Sequence, residues 1–355
     1  MKAWQLDRLG GELRFNDVRT PEPRPGSALV RIEASVLMSY LKDYVEGKLP
    51  SYNPPHGPFT IGTNGIGVVE AVGRDVWHLK PGQRVVLSSY FVASENVEDP
   101  AQVLIGLTSS PDAAQVLNDW PDGTLAEYAL MPVEAITPVE GLDQFDSTAL
   151  VAIGRCIVPF GGLVRGRLAA GETLVVNGAT GAYGTAAVLV AVAMGAARVI
   201  AAGRNKEALE AVVRAGGPRV IAVTLSGNVQ KDAAALRAAS DGGAHIAFDM
   251  VGQARDAKST LAALHSLRRG GRLVLMGSMT TDLPLPYTAV MLNSWEIIGQ
   301  FMYPAGAYRR LLDLLRSGLL DISAIRPRVY PLADLPQAME AAATAGNLEC
   351  IVMQP

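Results

Sequence analysis

The stretch Thr173-Leu-Val-Val-Asn-Gly-Ala-Thr-Gly-Ala-Tyr-Gly184 decides how the rest of the chain is read. Leu174, Val175 and Val176 make an apolar run as long as a fully buried strand needs. Gly178, Gly181 and Gly184 then recur at every third position, and an alanine-rich helix runs from there to Met194, stopped by Gly195. Strand, glycine turn and helix in this order can hold a dinucleotide pyrophosphate. Backbone without Cβ atoms lets the phosphates approach, and the helix start offers unpaired N–H groups and the positive end of its dipole. A tight turn would also use glycines for steric reasons alone, so the sequence that follows matters.

A second short apolar run, Arg198-Val-Ile-Ala-Ala202, leads into Gly203-Arg204-Asn205-Lys206. In such a fold the residue ending the second strand meets the adenosine ribose, and an acid there selects the cofactor without a 2′-phosphate. No acid stands at that place. Gly203 leaves room, and Arg204 with Lys206 offers positive charge and donors suited to a phosphate. The pattern predicts NADP(H), contacted by Gly178, Thr180, Gly181, Ala182, Tyr183, Gly184, Gly203, Arg204, Asn205 and Lys206. The competing reading is that Arg204 and Lys206 merely solvate a helix start, where cations oppose the dipole.

Outward from this motif, residues 151–300 alternate helix and strand. Further strands are expected at 219–223, 244–250, 271–276 and 295–298, with helices at 206–215, 229–239 and 254–267. Strands separated by helices of this length form a parallel, doubly wound sheet, here of six strands. Residues 1–150 read instead as short strands and turns. Ala28–Ala34 alternates, Ile61–Gly73 is a glycine-punctuated strand, and Gly123–Met131 returns to strand character after a stretch without period at 92–120. That pattern suggests a small β-barrel. The chain is thus α/β, with residues 301–355, a helix at 308–317 and a terminal strand at 350–353, expected to return to the first domain.

Composition bounds the partners. The 355 residues are 49% hydrophobic and 18% charged with a net charge of −3, and they carry no basic run, so nucleic acid is not an expected partner. The N-terminus lacks a signal-peptide core, and Gly195 and Arg198 interrupt the most apolar window, so a cytoplasmic protein without a membrane span is expected. Two cysteines, Cys156 and Cys350, make no disulfide framework or multi-cysteine metal knuckle. Among the four histidines, His56 sits in a proline-rich loop, and His78, His245 and His265 have no metal-ligand spacing. No Gly-x-Ser-x-Gly elbow supports hydrolysis.

Taken together, Gly62–Gly73, Lys80–Val86, Gly123–Tyr128, the glycine fingerprint, Phe248–Gly252 and Gly270–Gly277 resemble the medium-chain dehydrogenases/reductases, nearly end to end. Within that superfamily they are similar to the zinc-free quinone oxidoreductase-like branch. The resemblance implies a GroES-like β-barrel catalytic domain, a Rossmann domain, a cleft between them, and Val251, Gly277 and Ser278 as further cofactor contacts. It also implies a small-molecule substrate and a homodimer joined edge to edge through the strand at 295–298. Zinc-dependent members carry metal ligands at positions that match Met38, Thr63 and Gly154 or Arg155, with Cys156 close by. These are poor zinc ligands, so no metal is expected.

Without a Lewis acid, reduction of a quinone, enone or other activated double bond is the less demanding hydride chemistry, because charge spreads to an oxygen that a side-chain donor can meet. Tyr40, two residues after Met38, is the first candidate, with Tyr52 and Asn64 behind it; Lys42, Tyr44 and Tyr90 are further candidate donors where the resemblance puts the zinc site. A zinc-free alcohol or carbonyl oxidoreductase, or a non-enzymatic NADPH-binding protein, are the alternatives on the same scaffold. Tyr183 departs from the small aliphatic residue usual in the family. It either narrows the cleft or packs away from it.

Overall fold

A computed structural model describes residues 1–93 and 96–355. By internal packing the chain forms two compact units. One comprises Met1–Gly154, Ile325–Ala345 and Glu349–Pro355; the other comprises Arg155–Ala324 and Gly346–Leu348. The segment 301–324, expected with the C-terminal return, therefore belongs to the second unit. Its amphipathic helix explains this, because Tyr308, Leu311, Leu312 and Leu315 are buried there. Residues 346–348 join the second unit through Asn347, whose Nδ2 donates to Thr185 Oγ1 at 3.1 Å and to the Ala208 carbonyl at 3.4 Å.

The second unit is a six-stranded parallel sheet: β1 Thr173–Asn177, β2 Arg198–Gly203, β3 Val220–Thr224, β4 Ala244–Asp249, β5 Leu267–Leu275 and β6 Glu296–Gly299. The order β3-β2-β1-β4-β5-β6 reverses direction between β1 and β4, the point where open α/β sheets bind ligands beyond the strand ends. Val175, Ile200, Ala247 and Leu273 lie buried in its core, which is why these strands read as continuous apolar runs. The helices are α1 Ile153–Arg165, α2 Ala182–Ala193, α3 Lys206–Gly216, α4 Val229–Ala239, α5 Lys258–His265, α6 Tyr287–Asn293 and α7 Ala307–Arg316. Apolar on nearly every side, α2 is buried along almost its whole length.

In the first unit, Ser27–Val36 is the central strand. It pairs antiparallel with Gly65–Val72, Tyr128–Pro132 and Glu349–Gln354, in a seven-stranded sheet that also takes in Arg326–Pro331, Arg84–Leu87 and Ile136–Pro138. The fold is the GroES-like domain and Rossmann sheet that the sequence implies. Two expectations need correction. Residues 92–120 are not a featureless loop: Gln102–Leu104 pairs with Tyr90–Val92 and Thr108–Ser109, and Ala114–Asp119 is helical. The helical stretch Ser147–Arg165 is long and apolar enough to cross a membrane by length and composition, but 72% of it is buried inside the protein.

Candidate functional site

In the second unit the glycine turn follows β1. Gly178 has φ +81°, open to glycine alone without strain, and a Cβ on Gly184 would lie 2.0 Å from the Gly178 carbonyl oxygen. No side chain fits between turn and helix, so the third glycine sets how closely α2 approaches the sheet. Gly181 is the N-cap of α2 and has no neighbour nearer than 3.5 Å to a built Cβ. The first N–H groups of α2, on Ala182, Tyr183 and Gly184, have no intrahelical acceptor. A half-buried turn ending on such donors, with the positive end of a twelve-residue helix behind it, fits an anionic diphosphate.

The adjoining walls converge on the same turn. Val251 lies 3.2 Å from a built Gly178 Cβ, a Cβ on Gly277 would strike the Val251 carbonyl at 2.2 Å, and Ser278 Oγ lies 3.2 Å from a built Gly252 Cβ. Beneath them Asp249, buried at the end of β4, accepts from the Val251 N–H at 2.9 Å, from Asn177 Nδ2 at 3.4 Å and from the Thr260 hydroxyl. Burial pushes its carboxyl above the ordinary range, against the pull of those three donors. Asn177 and Thr260 escaped sequence reasoning, since no local pattern marks a residue whose partner is a distant buried carboxylate.

At the end of β2 the geometry revises one expectation. Gly203 does not leave room for a ligand: a Cβ there would meet Thr180 Cγ2 at 2.7 Å, so this glycine accommodates Thr180. Asn205 is the N-cap of α3, its Oδ1 accepting from the Ala208 N–H at 3.0 Å. Arg204 and Lys206 are exposed and make no ion pair or hydrogen bond among the described residues. Tyr183 is half-buried beside Tyr308, whose phenol burial pushes well up; Tyr303 packs edge-on against that ring with centroids 5.7 Å apart.

In the first unit, the donor candidates separate by their partners. Tyr44 donates to the Leu107 carbonyl at 2.6 Å, Tyr90 to Gln102 Oε1 at 2.6 Å, and Lys42 pairs with Glu340 at 2.5 Å. Asn64, buried, accepts from the Ser89 N–H at 3.0 Å and turns its Nδ2 toward the Gly154 carbonyl at 3.5 Å. Tyr40 and Tyr52 differ. Their ring centroids lie 6.1 Å apart and their hydroxyls interact, an interaction that opposes the upward push of burial on Tyr52. Tyr40 caps the short helix Leu41–Val45 and is half-buried.

The positions matching zinc ligands lie in this unit's interior or beside its buried residues. Met38 and Thr63 are buried, and Gly154 packs against Asn64. A thioether, a hydroxyl and a glycine do not make a zinc site. Among the described residues no three His, Cys, Asp or Glu side chains stand where they could hold a metal ion. His56 is a loop residue tied to Asn118, and Cys156 and Cys350 are buried thiols.

Comparison with known proteins agrees with the fold. The Alcohol dehydrogenase GroES-like domain family matches residues 24–141, and the Zinc-binding dehydrogenase family matches residues 182–317. These matches support the medium-chain dehydrogenase/reductase superfamily. An NAD-dependent alcohol dehydrogenase of Sulfurisphaera tokodaii is 25% identical over 100% of this chain and 99% of its own length. A thermostable alcohol dehydrogenase structure from Pyrobaculum aerophilum superposes with a TM-score of 0.79 at 22% identity, covering 100% and 99% of the two chains. A Sinorhizobium meliloti 1021 structure bound to NADP has the same TM-score at 19% identity, covering 100% and 99%. Both structural likenesses speak for the fold. The matches support an oxidoreductase that uses a nicotinamide dinucleotide, while the positions Met38, Thr63 and Gly154 offer neither thiolate nor imidazole to the zinc in the matched family's name.

Proposed function

We propose that the protein reduces a quinone, enone or other activated double bond with NADPH, and does so without a catalytic metal. The observation that carries this reading is the donor set at Met38, Thr63 and Gly154, which offers no thiolate or imidazole, with Tyr40 two residues after Met38 and its ring beside that of Tyr52. With no Lewis acid, an alcohol has nothing to lower its pKa. A conjugated acceptor needs only a proton donor at the oxygen where charge collects, and the Tyr40 hydroxyl, backed by Tyr52, is that donor.

The bound dinucleotide supplies the hydride. The N–H groups of Ala182, Tyr183 and Gly184 hold its diphosphate, and Gly178, Val251, Gly277 and Ser278 form the wall beside it. Arg204 and Lys206, which no residue of the described chain neutralises, meet the 2′-phosphate. Asn205 and Gly203 serve by shaping the helix start rather than by contact.

Steady-state oxidation of NADPH with quinones, enones, aldehydes and ketones tests the reading: turnover with the conjugated substrates is expected, and activity confined to simple aldehydes, ketones or alcohols overturns it. The second reading, an alcohol or carbonyl oxidoreductase, is favoured by what the Sulfurisphaera tokodaii relative is called. For assembly we infer a homodimer joined at the β6 edge. That strand ends the sheet, and Tyr287, Met291 and Leu292 of neighbouring α6 are exposed. Light scattering at the mass of one chain would refute the dimer.

A further inference from the structure

At the opposite, N-terminal edge of the parallel sheet lies a cavity of about 300 Å³, lined by Arg268, Arg269, Arg272, His245 and Glu172, with the Arg167–Glu296 pair at its side. Its volume falls at the small end of ligand sites. Most arginines along this edge have an evident task. Arg198, Arg219 and Arg237 end on carbonyls, including those at the C-terminal ends of α4 and α2, where cations complement the dipole.

The cavity's carboxylates are committed as well: Glu172 to Arg272 and to the Ala169 N–H, and Glu296 to Arg167 at 2.6 Å. Arg268 and Arg269 are left over. Arg269 has no ion pair or hydrogen bond among the described residues, and Arg268 Nη1 stands 2.8 Å from His245 Nε2. The other ring nitrogen, Nδ1, accepts from the Thr173 N–H at 3.1 Å. Two donors thus converge on one imidazole, which in its neutral form must itself direct an N–H toward one of them. Donors outnumber acceptors at this spot, and backbone strain gathers beside it, with Arg167 at φ +55°.

We propose that this cavity is a binding site for a phosphate group, either free phosphate or a phosphate monoester, held by the Arg268 and Arg269 guanidiniums and by the His245 ring. Planar guanidiniums pair with phosphate oxygens in forked geometry. An acceptor placed there takes the Arg268 N–H that now faces the imidazole. Burial and then Arg268 press His245 toward its neutral form, with Glu172 opposing and Arg272 adding to the effect. With Nδ1 accepting the Thr173 N–H, the neutral ring carries its proton on Nε2 and presents it to the anion without a change of charge.

Calorimetric titration of the full chain with inorganic phosphate and with phenyl phosphate, at constant ionic strength, tests this. One saturable site in the millimolar range or tighter is expected for at least one of the two, and the preferred ligand tells free phosphate from ester. The Arg268→Gln/Arg269→Gln double variant should lose about tenfold or more, while dinucleotide binding and thermal midpoint stay unchanged. Sulfate, a tetrahedral dianion of the same shape, should occupy the same site in wild type and lose about tenfold or more in the double variant. Absence of a saturable site in wild type, or equal binding by the double variant, overturns the proposal. If only the double variant unfolds, Arg269→Gln alone, at an exposed side chain, decides by the same criterion.

Discussion

The glycine turn after Asn177 and the tyrosine loop around Tyr40 depend on contacts of different reach. In the turn, the constraint is between residues six apart: a Cβ on Gly184 would strike the Gly178 carbonyl, and the peptide backbone itself does the shaping. In the loop, each fixed side chain answers to a distant partner. Tyr44 reaches Leu107, 63 residues on, and Lys42 reaches Glu340, 298 residues on. A site made of backbone is written locally. A site made of side chains is written wherever their partners happen to be.

Substitutions can break this contrast or sharpen it. The largest effect is expected at the loop: Tyr40→Phe keeps the ring and removes the proton, and should lower enone turnover by about 10²–10⁴, less for a quinone, with NADPH affinity intact. Unchanged enone turnover would reduce Tyr40 to packing. Next is Gly184→Val, where the added atoms meet carbonyl and strand. A loss of about 3 kcal/mol in stability, read as a fall in thermal midpoint, should accompany loss of dinucleotide binding.

Arg204→Ala should weaken NADPH by about tenfold or more and leave NADH unchanged, measured by fluorescence titration. Equal affinity of the wild type for both dinucleotides would return Arg204 to the role of a solvated helix start. Asn205→Ala removes a cap and should cost about 1 kcal/mol of stability with little change in cofactor affinity; a large affinity loss would instead make Asn205 a ligand contact. Smallest of all is chelation. Incubation with EDTA should leave turnover untouched, and elemental analysis should find no stoichiometric zinc, whereas about one zinc per chain would overturn the reading of Met38 and Thr63.

Much of the second unit was legible because its signals are periodic and local. The strand expected at 198–202 runs Arg198–Gly203, and the helix expected at 229–239 has those bounds. The helix expected at 254–267 is shorter, Lys258–His265, since Gln253 takes a positive φ and Asp256 bonds the Lys258 N–H ahead of the first turn. Residues 92–120 defeated the pattern because their strands are two or three residues long, below any detectable period. At the candidate site, the glycines announced themselves. That Gly203 accommodates Thr180, and that Asn64 is spent on Ser89, are facts about neighbours that no spacing rule encodes.

The topology of the first unit bears on how the protein is made. Ser27–Val36 lies beside Glu349–Gln354, and Trp4 Nε1 donates to the Leu332 carbonyl across 328 positions of chain. On the ribosome, the second unit's six strands emerge as one uninterrupted run, while Ser35 and Val36 at the end of the first unit's central strand wait for Met353 and Val352 until synthesis has passed all of them. Pairings of such sequence separation form slowly, and an open strand edge invites foreign partners meanwhile. The first unit therefore closes last, after every strand of the second has been made.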